Sequence, residues 1–470
     1  MGKFSVFRNS LGVPAIALCV IVGCLNAGWW RTYGSEKDDS GFFVQQTSDG
    51  DYIIIGERFV GLDEQWELFN NYDIWLLKID NKGDTLWTRV YGDSASNRDL
   101  GSCVQQTRDG GYIIGGGFSG KSCLIKTDKD GNVEWTRTYL DGGVTCVQQT
   151  SDGGYILVLS CMSLIKTDSV GEIIWANSYG WRIGGYANSV QETQDGNYIF
   201  VGTDERYNVT LPYYVLMLIE VDSAGNPILW REYEELMYSM DVRETNDEGY
   251  IILGNWGCPY QICVLKTDSA GDSLWLHTYN AGNSSSGYRI RETDDGGYII
   301  VGNSNTGEPG TSTDVWLVKI NANGDTLWTR SFGGSEYDCG RAIQQTIDGG
   351  YIIVGDMGPS WVEQSELLII KTDSLGYVSG VEEEPPVAPV THQSDWQVSV
   401  SVGRQIVLRA PANARPLDLA VFDASGRMVD EVHLGPSSTI TWGDGYSPGV
   451  YFIRIEGDAS ATTQKVILIH

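Results

Sequence analysis

The sequence predicts an all-β chain: a seven-bladed β-propeller closed by an N-terminal strand, followed by a small β-sandwich. Three observations carry this. The phrase "VQQTSDGDYIIIG" (44–56) returns as "VQQTRDGGYIIGG" (104–116), "VQQTSDGGYILV" (147–158), "VQETQDGNYIFVG" (190–202), "VRETNDEGYIILG" (242–254), "IRETDDGGYIIVG" (290–302) and "IQQTIDGGYIIVG" (343–355). Its tyrosines lie 60, 43, 43, 52, 48 and 53 residues apart, the length of a four-stranded blade rather than of a helical repeat. The wording that ends a repeat, "LWTRVYG" (86–92), also stands near the N-terminus as "GWWRTYG" (28–34).

Each repeat supplies four strands. "VQQT" turns through Asp-Gly-Gly into "YIIVG", and an Asp-Gly pair marks a hairpin because both residues accept positive φ. A connection of variable length leads to "IWLLKID" (74–80), "CLIKTD" (123–128), "VLKTD" (264–268) or "LIIKTD" (368–373). A second turn, Asp-x-x-Gly, opens the fourth strand, where tryptophans stand at 87, 135, 175, 230, 275 and 328. Six tryptophans serve seven repeats, because the seventh stops at "YVSGVEEEPPVAPV", whose prolines and acids end any strand. The missing strand is "WWRTYG" (29–34), with Trp29 aligned to Trp87, Arg31 to Arg89 and Tyr33 to Tyr91. Pairing it with 368–373 closes the ring and removes an aggregation-prone sheet edge.

Composition narrows function. With 61 acidic against 32 basic residues in 470, the net charge is −29, which excludes nucleic acid as a partner because that affinity rests on Lys and Arg neutralising phosphates. Lys3 and Arg8, the apolar run 11–23 and "CLNAG" have the layout of a secretory signal peptide, cleaved after Ala27. The run is shorter than the ~20 apolar residues that span a bilayer. A lipobox-like "IVGC" (21–24) offers the alternative of an outer-membrane lipoprotein anchored at Cys24. Cleavage leaves an odd seven cysteines, read as small apolar strand residues, and only Cys258 and Cys263 share a connection that allows pairing.

The repeat region, 28–377, resembles a family of exported seven-bladed propeller proteins with "DGGYIIVG…LIKTD…G…W" repeats, known mostly from environmental bacterial genomes. The resemblance implies fold and export and names no reaction. Residues 378–396, rich in proline and acid, read as a linker. Beyond it, strand-like runs at 397–402, 405–410, 417–423, 449–456 and 463–470 predict a sandwich. "VFDASGRMV" (421–429), "SPGVYFIRIEGD" (447–458) and terminal "KVILI" resemble the C-terminal sorting domain of type IX secretion substrates, whose fold is Ig-like. The resemblance implies the type IX machinery as a partner and a secreted or cell-surface location; the "PNP" phrase that often opens such domains is replaced by "WQVSVSVGRQ" (396–405).

Catalytic motifs are sparse. "GGGFSGKS" (115–122) matches a phosphate loop, but such a loop needs a helix after it and here a repeat strand follows. "TDKDGNVEW" (127–135) and "TDSVGEIIW" (167–175) are like the Asp-box of sialidases and the Trp repeat of quinoproteins, yet turn formation and Trp packing account for them. "TDKDGN" lacks the spaced ligands of a Ca²⁺ loop. Of four histidines only His277 lies in the propeller. No catalytic residue, metal site or cofactor is therefore expected. Two function classes stand: a monomeric, non-catalytic binding or adhesion protein for an extracellular carbohydrate or protein, and, as the alternative, a secreted propeller enzyme, a glycoside hydrolase or quinoprotein-like. In an up-down-up-down blade the first and third turns share one face and the other connections share the opposite one. The first set is constant; the second varies and is rich in aromatics, so Trp66, Trp181, Tyr207, Trp256 and Trp361 are the candidate ligand-binding residues.

Overall fold

The computed structural model describes residues 28–34, 38–62, 70–92, 99–118, 120–180, 185–207, 212–234, 238–257, 259–305, 312–334, 336–358 and 365–378, then 397–400, 402–403, 406–409, 417–423, 427–435, 438–443, 445–447, 449–455 and 464–468. Residues 1–27, read above as an export signal and containing Cys24, and residues 379–396 lie outside these. The chain divides into two compact units, Met1–Val381 and Glu382–His470.

The first unit contains seven four-stranded antiparallel sheets. Blades 1 to 6 span 39–91, 100–141, 144–178, 186–233, 238–279 and 284–332, each with its strands in chain order. Blade 7 takes its first three strands from 337–372 and its fourth from Trp29–Tyr33 at the N-terminal end. Its register repeats that of the other blades, because Trp29 faces Lys371 as Trp87 faces Lys78. The first strand of every blade lies against those of both neighbours, which arranges the seven around one axis. Second and third strands are buried on both faces, hence their continuous apolar runs, with Ile53, Ile54 and Ile55 fully enclosed. Fourth strands are outer edges and alternate exposed with half-buried residues.

Each letter of the repeat has a mechanical reason. In the first turn, Asp152 accepts from Lys166 Nζ (2.9 Å) and Gly154 N (2.9 Å), and the Thr150 hydroxyl donates to it at 2.6 Å. A buried lysine is tolerated only when its charge is paired and its donors filled. Six blades repeat the arrangement, with Lys78, Lys126, Lys166, Lys266, Lys319 and Lys371. Burial alone raises the carboxyl pKa, but the Thr150 and Lys166 bonds outweigh it and hold Asp152 at about 2. In the second turn, the Asp168 carboxylate accepts N–H groups of Val170 and Glu172, and Gly171 takes φ 81°. The previous blade's Trp135 ring lies over that glycine, where an added Cβ would come within 2.9 Å, and Tyr139 donates to its carbonyl at 2.9 Å. At the seam Trp29 and Tyr33 treat Gly83 of blade 1 the same way, so the N-terminal strand both completes blade 7 and latches it to blade 1.

Blade 4 departs from the expected alignment. Trp230 stands eight residues after its turn aspartate, Asp222, whereas Trp175 stands seven after Asp168. The extra residue shifts the register by one, so Leu229 faces Glu220 where the other blades put Trp opposite Lys. A one-residue slip reverses the face. Leu229 packs between blades 4 and 5, and Trp230 turns to the blade 3–4 side. Two smaller differences concern residues at the margins. Val378 is buried in the core between blades 6 and 7, one residue past the anticipated propeller end, and Cys263 is a buried free thiol, with Cys258 outside the described residues.

The second unit is a two-sheet sandwich. One sheet holds Gln397–Val400, Ile406–Arg409 and Thr439–Trp442; the other holds Val402–Gly403, Leu417–Asp423, Met428–Leu434, Gly449–Ile455 and Gln464–Leu468. Ile406, Leu408 and Trp442 from the first meet Leu419, Val421, Ile453 and Leu468 from the second in one core.

Candidate functional site

The constant turns share a face, as the bond from Lys78 in a third strand to Asp49 in the first turn requires. On the opposite face, the link entering one blade pairs with the second connection of the blade before: Asp99 N donates to Tyr72 O and Ser285 N to Tyr260 O, both at 2.8 Å.

On that variable face, between blades 4 and 5, four tyrosines converge. Tyr238, opening blade 5, stacks on Tyr186, opening blade 4, at 6.3 Å between centroids and 16° between planes. Tyr214 of the blade 4 third strand lies 5.0 Å from Tyr238, and Tyr260 meets it edge-on at 5.8 Å. Strand alternation accounts for the meeting. Tyr186 pairs with Thr203 and Tyr214 with Glu205, two residues on, which puts both tyrosines on the side where the Thr203 and Ser239 hydroxyls join the blades at 3.0 Å. Asn255 turns toward blade 6, bonding Gly287 N at 2.8 Å, so Trp256, the next residue, projects to the blade 4 side. Trp256 is 45% exposed and Tyr260 42% exposed. Burial, then the neighbouring Tyr260 and Tyr214 phenols, push Tyr238 up to about 12. Tyr238 is thus a neutral hydroxyl among apolar ring faces.

Of the five candidate residues, Trp256 is exposed at the end of the second strand of blade 5, Tyr250–Trp256. Tyr207 is in the blade 4 strand Tyr198–Tyr207, its side chain outside the described set. Trp66, Trp181 and Trp361 lie outside the described residues. Tyr186, Tyr214 and Tyr260 stand in the variable segments singled out by sequence, whereas Tyr238 has no motif around it.

A second feature is a pair of acids facing the link from blade 6 to blade 7, Asp314 from the third strand of blade 6 and Asp338 from the first strand of blade 7. Asp314 and Asp338 both lie beneath Gly333, where an added Cβ would be 2.4 and 2.5 Å from their oxygens. Burial first, then the Asp314 charge, raise Asp338 to about 7. Such a value suits a general acid, but Asp338 is 1% exposed and accepts from Gly334 N at 3.2 Å, so it caps the link out of reach of substrate. The phosphate-loop-like stretch is a β-hairpin, Tyr112–Phe118 and Lys121–Thr127, with strand where a phosphate site needs a helix.

No protein-family model matches the chain, and no curated protein matches it. Among solved structures it is similar to the WD40 β-propeller domain of Doa1, at 12% identity over 73% of this chain and 97% of that one, TM-score 0.49. It is also similar to PorZ, described as an essential surface component of the type-IX secretion system of Porphyromonas gingivalis, at 10% identity over 89% and 58%, TM-score 0.41. BamB from Moraxella catarrhalis matches at 12% over 70% and 82%, TM-score 0.37. The seven four-stranded sheets, with the seventh closed by Trp29–Tyr33, make the first unit a seven-bladed β-propeller.

Proposed function

We propose that this is a non-catalytic binding protein of the cell exterior, holding an extracellular carbohydrate or protein segment in the aromatic groove between blades 4 and 5. The observation that carries the reading is the convergence of Tyr186, Tyr214, Tyr238 and Tyr260 with an exposed Trp256 on the face of variable connections. Open aromatic faces stack on the C–H surface of a sugar ring or on an apolar side chain, and their neutral hydroxyls donate hydrogen bonds, all at small entropic cost. Export rests on the N-terminal signal and on the likeness of the C-terminal module to type IX sorting domains.

A glycan array probed with the propeller, beside a panel of chromogenic glycosides, tests the reading. Binding of a glycan that falls at least tenfold in Trp256→Ala and Tyr260→Ala supports it; glycan binding indifferent to both moves the site elsewhere. Turnover of any glycoside replaces it with the enzymic alternative. Truncation after Val378 is expected to strand a folded propeller in the periplasm of a type IX host, and efficient release would remove the sorting role.

A further inference from the structure

The ring of first strands contains one break in its own rule. In five blades the residue after the conserved Val or Ile is glutamine, and its side-chain oxygen accepts the main-chain N–H of the next blade's first strand. Gln45 serves Gln106, Gln105 serves Gln149, Gln148 serves Glu192, Gln191 serves Glu244, and Gln344 serves Gln46, at 2.6 to 3.1 Å. Blades 5 and 6 put Arg243 and Arg291 there. A guanidinium has donors and no acceptor. Glu292 and Gln345, in the register position of Gln46, therefore have an arginine in the preceding blade where the rule supplies a side-chain oxygen for their N–H groups.

The surrounding charge is unbalanced in the same direction. Asp241 is fully buried and accepts from Arg243 (3.1 Å), Arg291 (2.5 Å), Ser189 Oγ (2.7 Å) and the N–H groups of Val242 (3.1 Å) and Ile290 (3.2 Å). That carboxylate is saturated. A third arginine, Arg289, donates to the carbonyls of Met240 and Tyr288, at 3.3 and 3.1 Å, and its charge acts on Asp241 and on Cys103 of blade 2. Three cations thus surround one anion inside a protein whose net charge is −29. The adjacent carboxylates do not redress this, because alternation turns them the other way: Glu244 caps Gln194 N at 2.9 Å and Glu292 accepts from the Asn246 amide at 2.7 Å. Arg243 Nε is shielded from solvent with no hydrogen-bond partner. Burial, then repulsion from Arg243, bring Arg291 down to about 10. Solvent still reaches the cluster, since the Arg243 and Arg291 side chains are 21% and 18% exposed.

We infer that the axis of the ring, beside blades 5 and 6, binds a small tetrahedral oxyanion, a phosphate or sulfate group, among Arg243, Arg289 and Arg291. Forked guanidinium donors match the oxygens of such a group, and charge-assisted bonds of this kind are the strong ones in a partly desolvated site. The anion supplies the acceptors that the glutamine-to-arginine exchange removed and offsets the excess positive charge. The inference stands apart from the aromatic groove and does not depend on it.

Calorimetric titration of the intact protein at fixed ionic strength tests it, using inorganic phosphate, inorganic sulfate, a phosphorylated monosaccharide and a sulfated monosaccharide. The free anions binding with sub-millimolar Kd assigns an inorganic ligand; binding of a monosaccharide ester alone assigns the same group carried on a sugar. The doubly substituted Arg243→Gln, Arg291→Gln protein installs the residue of the other five blades. Its melting temperature is expected to fall, because buried Asp241 loses both of its cations, so Arg289→Gln, which leaves Arg243 and Arg291 on Asp241, is the variant free of that cost; affinity is expected to drop at least tenfold in the first and measurably in the second. Titrations of the parent that are silent with all four probes overturn the inference, as does unchanged affinity in these variants.

Discussion

Blades 3 and 4 are neighbours built from one repeat, and they differ at three points. Blade 3 keeps the turn contacts: Lys166 on Asp152, Trp135 of the preceding blade over Gly171, and Trp175 over the next turn at Gly225. Blade 4 replaces the lysine with Glu220, which accepts from Asn197 (3.1 Å) in its own turn and from the Tyr250 hydroxyl (2.9 Å) of blade 5. It also shifts its tryptophan by one residue, and its first and third strands carry two of the clustered tyrosines, Tyr186 and Tyr214. Going on round the ring, blades 5 and 6 exchange glutamine for arginine. Departures from the repeat thus gather in one half of the ring. A blade needs its repeat residues to stand, so a break that is nonetheless satisfied by new partners marks where something other than assembly shapes the residue.

The largest test of this division is the seam. Deleting 28–34 removes the strand paired with Glu366–Thr372 and the contacts of Trp29, Arg31 and Tyr33 on the blade 1 turn, including Arg31–Asp84 at 2.6 Å. Stability is expected to fall by ~5 kcal/mol or more, because strand edge and inter-blade contact go together. Scanning calorimetry that gave the parent melting temperature would break the comparison, since a regular element would then be dispensable. Next in size, Lys166→Met leaves Asp152 without its cation and is expected to cost about 2–3 kcal/mol in urea unfolding. Glu220→Gln keeps an oxygen for Asn197 and Tyr250, and under about 1 kcal/mol is expected there. Equal costs would erase the difference between the blades.

Asp338→Asn tests the acid pair. The folded pKa of Asp338, about 7, lies above the ~3.9 of an unfolded aspartate, so the folded state holds the extra proton and stability is lost as pH rises between those values. The amide mimics the protonated acid. Relative to the parent it is expected to gain roughly 1–2 kcal/mol at pH 8 and far less at pH 5, and a gain that did not depend on pH would count against the pair. Asp152 has the opposite sign: depressed to about 2, it contributes stability present above pH ~3.9 and lost as pH falls through 2. The smallest expected effect on stability is that of Trp256→Ala. An exposed ring on the variable face is expected to leave the melting temperature within 1–2 °C of the parent, about what a surface change of under 0.5 kcal/mol produces. A larger drop would make Trp256 a loop staple rather than a ligand contact.

Much of the ring was legible in the chain. The four-strand unit, the count of seven and the closing strand all follow from repeated wording, since turns and strand alternation are local and every repeat states them again. Even the displaced Trp230 left a trace in the spacing of eight rather than seven from its aspartate. The candidate site was legible only in part. Aromatic connections on one face were read as the recognition surface, and Tyr186, Tyr214 and Tyr260 stand in such connections; Tyr238, on which their rings converge, does not.

What the sequence alone determined is what periodicity and turn chemistry determine: all-β, seven blades and a ring closed by 29–34. Only the tertiary structure decided which residues from different blades share a place. Tyr186 and Tyr238 are 52 positions apart, and Arg243 and Arg291 48 apart, yet both pairs meet because closing the ring sets each first strand beside the next. The same closure shows why the repeat prefers glutamine after its conserved Val: that amide accepts a hydrogen bond from the following blade, a partner that exists only once the blades stand side by side.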